Sequence, residues 1–212
     1  MSGPVVLPAF DGPVVGVCLV CTGNICRSPM ADVVLRKLAG RTSLPDGVTA
    51  DGVTADGTPA GGTLAGGTLA GGGTLGDRLR VSSAGTGPWH HGEPMDPRAA
   101  AALSAAGYRD HGHVARQFDA GAVDPGRPDR VDLLVALDRR HQQTLRSLTA
   151  GRLGDDRIVL LRSFDRNAGG AVDVPDPYYG GPADFDACLA MIEAGCRGLV
   201  AALSAAVAAG VA

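Results

Sequence analysis

Residues 14–39 read VVGVCLVCTGNICRSPMADVVLRKLA. Val14 to Val20 is an unbroken, valine-rich apolar run, which predicts a strand buried on both faces. Pro29 to Ala39 places apolar residues at helical spacing, and Pro29 suits a first helical turn, where its missing N–H is not needed. Between them lies a short loop with two cysteines, Cys21 and Cys26, and Arg27 directly after the second. By itself this pattern is open to four readings: a metal clip, a disulfide, a redox pair or a loop built to hold an anion.

Outward from this stretch the alternation continues. Leu79 to Ala84, Val131 to Leu137 and Ile158 to Leu161 predict three further strands. Asp96 to Ala106, opened by acid and proline and closed by Gly107, predicts a helix. A polar helix follows the third strand through Leu148, and an alanine-rich helix runs from Ala183 to about Ala208. Alternating strands and helices predict an α/β fold with a parallel sheet covered on both faces. In such sheets ligands sit beyond the carboxyl ends of the strands, where the Cys21 loop falls.

Bulk properties narrow the class. A chain of 212 residues, 45% hydrophobic, is sized for one core. The expected organisation is a flexible N-terminal extension over 1–13 and a single domain over 14–212. A low-complexity insertion at about 42–76 holds six tandem pentapeptides from Asp46 to Leu75 (DGVTA, DGVTA, DGTPA, GGTLA, GGTLA, GGGTL). No apolar run approaches the roughly 18–20 residues of a membrane span. The N-terminus lacks a basic region and is broken by prolines, unlike a signal peptide. The expected location is cytoplasmic, with secretion lacking a recognisable signal peptide as the open alternative. A net charge of −3 without long charge runs argues against nucleic acid as a partner. Five cysteines, an odd number, make a poor disulfide framework, and no second Cys-x-x-Cys or well-spaced histidine pair completes a zinc site.

An anion cradle fits the loop better. Free N–H groups at a strand-to-helix turn, reinforced by the helix dipole, bind anions. Gly23 is expected to let the chain turn sharply, and Asn24 to accept a left-handed conformation. The donors that would hold a phosphate would also stabilise a thiolate at Cys21. Arg27 would fold its planar guanidinium over the site to grip two phosphate oxygens, and Ser28 would donate its hydroxyl to the thiolate. A phosphate monoester attacked there needs an acid on its far side. VDVPDPYYGG, residues 172–181, offers Asp176 between two prolines, followed by Tyr178 and Tyr179.

VCTGNICRSPMAD, SAGTGPWHHGEPMDPRA, HVARQF, VDLLVALD and VPDPYYGG, in that order, resemble the low-molecular-weight protein tyrosine phosphatase family of bacterial type. The resemblance runs from Val14 onward and excludes the repeat insertion. It implies a three-layer sandwich with a central four-stranded parallel sheet, a phosphatase and flavodoxin-like topology, and the phosphate loop after the first strand. It implies Cys21 as nucleophile forming a phosphocysteine, Arg27 as phosphate clamp and Asp176 as general acid and then base. Thr22, Gly23, Asn24, Ile25, Cys26, Ser28 and Ser83 would bind phosphate or support the loop. Within that set Asn24 and Ser83 would hold its strained shape, and Ile25 would line the slot. Trp89, Tyr178 and Tyr179 would form the substrate pocket. Under oxidation Cys26 would pair with Cys21 and shelter it. No metal or organic cofactor is implied. The implied partners are phosphotyrosine proteins, with a cognate bacterial tyrosine kinase as a candidate; the expected oligomeric state is a monomer.

Three alternatives stay open: arsenate reductase, protein arginine phosphatase, and a non-catalytic phosphotyrosine reader or redox sensor. Arsenate reductases usually differ at Pro29 and use further redox cysteines, whereas this chain has none between Cys26 and Cys188. Arginine phosphatases tend to carry threonine at the Ile25 position. A reader should have lost the nucleophile or the acid. Cys188 and Cys196 read as packing residues, and His90, His91, His111 and His113 as loop or hydrogen-bonding residues. Where the family often has a histidine, Ala106 precedes Gly107, so looser support behind the loop is expected.

Overall fold

The valine run forms β1 (Val15–Cys21), buried along its whole length. The computed structural model describes residues 5–10, 12–44 and 73–210. β1 pairs in parallel with β2 (Leu79–Gly85) on one side and β3 (Leu133–Ala136) on the other, and β3 pairs with β4 (Ile158–Leu160). The sheet order is β2-β1-β3-β4. Four helices cover it: α1 (Arg27–Ala39), α2 (Pro97–Ala105), α3 (Arg139–Thr149) and α4 (Pro182–Ala209). The expected three-layer α/β architecture with a four-stranded parallel sheet is what the chain adopts.

Strand alternation divides the core. Val15, Val17, Leu19 and Cys21 pack with α1, α2 and α4, while Cys18 and Val20 pack on the opposite side with Leu145 of α3, Phe118 and Val131. Each wholly buried aliphatic such as Leu19 contributes roughly 1.5–3 kcal/mol of transfer free energy. The same alternation sends Cys18 and Cys21 to opposite faces, so these two cannot act as a chelating or redox pair. All five cysteines are free thiols.

Helix α1 begins at Arg27, two residues before the expected Pro29. Its first turn is closed by Met30 N–H donating to Cys26 O at 3.1 Å, without a side-chain cap to mark the start. Helix α4 is, by length and composition alone, long and apolar enough to cross a membrane. It nevertheless carries Asp184, Asp186, Glu193 and Arg197, and it buries Phe185, Cys188, Ile192, Cys196, Leu199 and Leu203 in the core. Gly198 permits this docking, since a Cβ there would lie 2.0 Å from Phe164 O.

The segment expected to be a flexible extension is anchored over residues 5–10. Leu7 and Phe10 are buried, Arg157 stacks 4.8 Å over the Phe10 ring, and its Nη2 donates to Ala9 O at 3.0 Å. Two apolar side chains suffice to hold a stretch rich in proline. Most of the pentapeptide insertion lies outside the described residues. Its two ends meet, with Ser43 and Thr74 bridged antiparallel and Leu75 N–H donating to Thr42 O at 2.8 Å.

Candidate active site

Cys21 ends β1 and α1 starts six residues later, so Thr22–Cys26 must turn within one short loop. The left-handed residue in that turn is Asn24, at φ +59°, not Gly23. Gly23 is needed for space, because a Cβ on it would lie 2.6 Å from the His90 ring. A non-glycine residue at positive φ persists only if its surroundings hold it. Asn24 is fully buried, and its Nδ2 donates to Ser28 Oγ at 2.9 Å and Ser83 Oγ at 3.0 Å. Its Oδ1 accepts from Arg116 N–H at 2.9 Å, and its carbonyl lies 2.6 Å from His113 Nε2. Ala106 is exposed at the end of α2, so support behind the loop comes from His113, Arg116 and Ser83.

The braced loop leaves its own backbone donors unused. The N–H groups of Gly23, Asn24, Ile25 and Cys26 donate to no protein acceptor among the described residues, the arrangement of an anion-binding nest. Cys21 Sγ, on a residue only 3% exposed, lies 3.0 Å from Ser28 Oγ. Since Ser28 Oγ already accepts from Asn24, its own proton is available for the sulfur or for Ala84 O at 3.3 Å.

Arg27, at the first position of α1, is buried and meets four acceptors. Nη1 donates to Asp138 Oδ2 at 3.0 Å and Val174 O at 3.2 Å; Nη2 donates to Thr22 Oγ1 at 3.2 Å and Asp176 Oδ2 at 2.5 Å. Its buried Nε has no hydrogen-bond partner among the described residues. Asp176 comes from the loop before α4, 149 residues from Arg27 in the chain, and its Oδ1 accepts from Tyr178 N–H at 3.2 Å.

Together these groups open onto a pocket of about 340 Å³. Cys21, Thr22, Gly23 and Arg27 form its base, with Ile25, Cys26 and Asp176 beside them; Trp89, His90, Tyr178 and Tyr179 make the rim. Trp89 and Tyr179 are well exposed, at 67% and 97%, and Tyr179 stands edge-on to Tyr178 with ring centroids 5.0 Å apart. His90 Nδ1 pairs with Glu93 at 2.7 Å and its ring tilts towards Tyr178. Burial, then the neighbouring Asp96 and Cys21, pushes the Cys26 thiol well up, and burial pushes Cys188 up to about 12, so both stay protonated near neutrality.

Every residue anticipated for the site lies in this pocket or in the shell bracing it. Sequence reasoning missed Asp138, His141 and Arg116, while His113, read as a loop or hydrogen-bonding residue, lies within hydrogen-bond distance of the Asn24 carbonyl. Asp138 carried a signal: it follows a buried strand and begins a helix, where an α/β sheet places its ligand groups. Burial of His141, at 4% exposed, left no such mark.

Comparison with known proteins points to one family. The family model described as low molecular weight phosphotyrosine protein phosphatase matches residues 16–65 and 67–209. A low molecular weight protein-tyrosine-phosphatase of Streptomyces coelicolor is 42% identical over 188 residues, covering 88% of this chain and 92% of the relative. Low molecular weight protein-tyrosine phosphatase A of Mycobacterium tuberculosis is 39% identical over 184 residues, covering 86% and 88%. The crystal structure of YfkJ from Bacillus subtilis superposes with a TM-score of 0.65 at 27% identity, covering 91% of this chain and 96% of that one. The phosphate-loop geometry and these matches converge: the chain belongs to the low molecular weight protein-tyrosine-phosphatase family of hydrolases.

Proposed function

We propose that this enzyme hydrolyses phosphotyrosine in proteins through a phosphocysteine on Cys21, working as a monomer. The observation that carries the proposal is the convergence of Cys21, Arg27 and Asp176 on one pocket from two distant segments of the chain. The Cys21 thiolate attacks phosphorus as the bond to the tyrosine oxygen breaks, and Asp176 gives the departing oxygen its proton. Asp176, now a carboxylate, takes a proton from water as that water attacks the phosphocysteine, and this releases phosphate and the thiolate. The loop N–H groups and Arg27 hold the equatorial oxygens, where transition-state charge gathers.

A donor count supports one further step. A guanidinium has five N–H donors, and four of those on Arg27 face protein acceptors while Nε has none. A two-pronged grip through Nε and Nη2 requires one Nη2 partner to leave, and phosphate therefore exchanges with Asp176. The Asp176 carboxyl group, freed from the arginine, becomes available to give its proton to the leaving group. Ile25 beside the pocket and the Trp89–Tyr178 rim favour a flat phenyl ring over a phosphoguanidinium.

The test is hydrolysis of para-nitrophenyl phosphate in the presence of a chelator, with Cys21→Ser expected to abolish it; a fully active serine variant would sink the mechanism. Comparison of phosphotyrosine, phosphoserine, phosphoarginine and arsenate separates the rival activities, and binding without turnover would point to a reader.

A further inference from the structure

The two Nη2 partners of Arg27 differ in how they are anchored. Asp176 sits on a loop with its side chain 44% exposed. Thr22 is tied from behind, with Oγ1 2.9 Å from Nε2 of the buried His141. His141 lies in the first turn of α3, where its backbone N–H donates to Asp138 Oδ1 at 2.8 Å. Asp138 thus caps α3 with one oxygen and receives Arg27 Nη1 with the other.

The protons can be placed. Burial drives the His141 imidazole down to about 4, against the upward pull of Asp138, so the ring is neutral near pH 7. Nδ1 stands 3.1 Å from Asp138 Oδ1, misaligned for a hydrogen bond yet too close for a lone pair to face a carboxylate. With its proton on Nδ1, facing the carboxylate, the ring leaves Nε2 to accept from the Thr22 hydroxyl. The oxygen of Thr22 is left to accept from Arg27 Nη2. Donation runs one way, from Arg27 to Thr22 to His141.

We propose that His141 is a positioning residue for phosphate binding: through Thr22, and alongside Asp138, it holds the Arg27 guanidinium still while an incoming phosphate displaces Asp176. The inference rests on the phosphatase function proposed above. Without the anchor Thr22 swings freely, phosphate can displace either partner, and the grip loses its direction.

The test uses the full chain with inorganic phosphate, titrated calorimetrically, beside steady-state kinetics on para-nitrophenyl phosphate. Thr22→Val and His141→Leu should each raise the phosphate Kd and the KM about tenfold, the worth of one charge-assisted hydrogen bond, with kcat moving less than about threefold. The double variant should be no worse than the weaker single, because both remove one link. His141→Gln, whose amide oxygen can accept from Thr22, should return to within about threefold of the unmodified chain. Unchanged phosphate affinity in Thr22→Val, additive losses in the double variant, or His141→Gln as impaired as His141→Leu would each overturn the proposal. If His141→Leu fails to fold, Thr22→Val against His141→Gln decides alone. Failure of the phosphatase function itself looks different: the unmodified chain would bind phosphate without Cys21-dependent turnover.

Discussion

Replacement of Asn24 separates two forces that shape the phosphate loop. Asn24→Ala and Asn24→Gly both remove three side-chain hydrogen bonds, to Ser28, Ser83 and Arg116. At about 1 kcal/mol net for each bond, both variants should lose roughly 3 kcal/mol of stability. They part on backbone conformation. A Cβ in the left-handed region costs about 1–2 kcal/mol, which penalises alanine at φ +59°. Glycine avoids that cost but gives back roughly 0.5–1 kcal/mol through the freer unfolded chain. The net expectation is Asn24→Gly more stable than Asn24→Ala by about 0.5–1 kcal/mol, with both well below the unmodified protein. Urea denaturation read by Trp89 fluorescence and by far-ultraviolet circular dichroism measures this. Both variants should also lose turnover, since their loop N–H groups are no longer held inward. Losses below about 1 kcal/mol in both would show that the bonds do not brace the loop. Alanine as stable as glycine would refute the strain argument while leaving the bonds intact.

Other expectations follow from the same geometry. Asp176→Asn should lower kcat by about 10²–10⁴-fold, most for poor leaving groups; an equal loss on para-nitrophenyl and alkyl phosphates would argue against acid catalysis. Because burial depresses His141 to about 4, the unfolded chain takes up this proton first, near its ordinary 6.5. The stability that its neutral form contributes is therefore complete above about pH 6.5 and lost as pH falls towards 4, by at most about 3 kcal/mol. Asp138, Asp176 and Asp173 oppose the shift and Arg27 supports it; His141→Gln should flatten urea midpoints across that window, and an unchanged slope would place the titration elsewhere. After hydrogen peroxide, which converts the Cys21 thiolate to a sulfenic acid, condensation with the Cys26 thiol would release water and form a disulfide. Dithiothreitol should then restore activity in the unmodified protein and much less in Cys26→Ala, whereas equal recovery would leave Cys26 as a packing residue.

Much of this molecule is local, and local features were legible. The valine-rich run Val14–Val20 was legible as an inner strand, and the strand it formed is Val15–Cys21, with Val14 left exposed. Cys21, Asn24, Arg27 and Ser28 share a single strand-to-helix turn, so their proximity follows from chain connectivity alone. The start of α1 was less visible, since Cys26 offers no capping side chain and helix limits without a cap carry little signal. The anchored segment at 5–10 was invisible for a related reason: two apolar residues among prolines reveal their burial only when a core receives them.

What the amino-acid sequence determined by itself was the strand-to-helix turn that carries Cys21, Asn24 and Arg27, together with the strand-helix alternation that places it. Asp176 was offered by its place between two prolines ahead of Tyr178 and Tyr179, and given its role by the family resemblance; no spacing to Cys21 pointed to it. Only the tertiary structure decided which groups surround Arg27. The parallel order β2-β1-β3-β4 sets the carboxyl ends of β1 and β3 side by side. That juxtaposition brings Asp138, at the start of α3, to Arg27 and His141 to Thr22, while the pairing of β1 with β2 brings Ser83 to Asn24. Hydrogen bonds reach about 3 Å whatever the distance along the chain, so a residue's chemistry is written locally while its partners are chosen by the sheet.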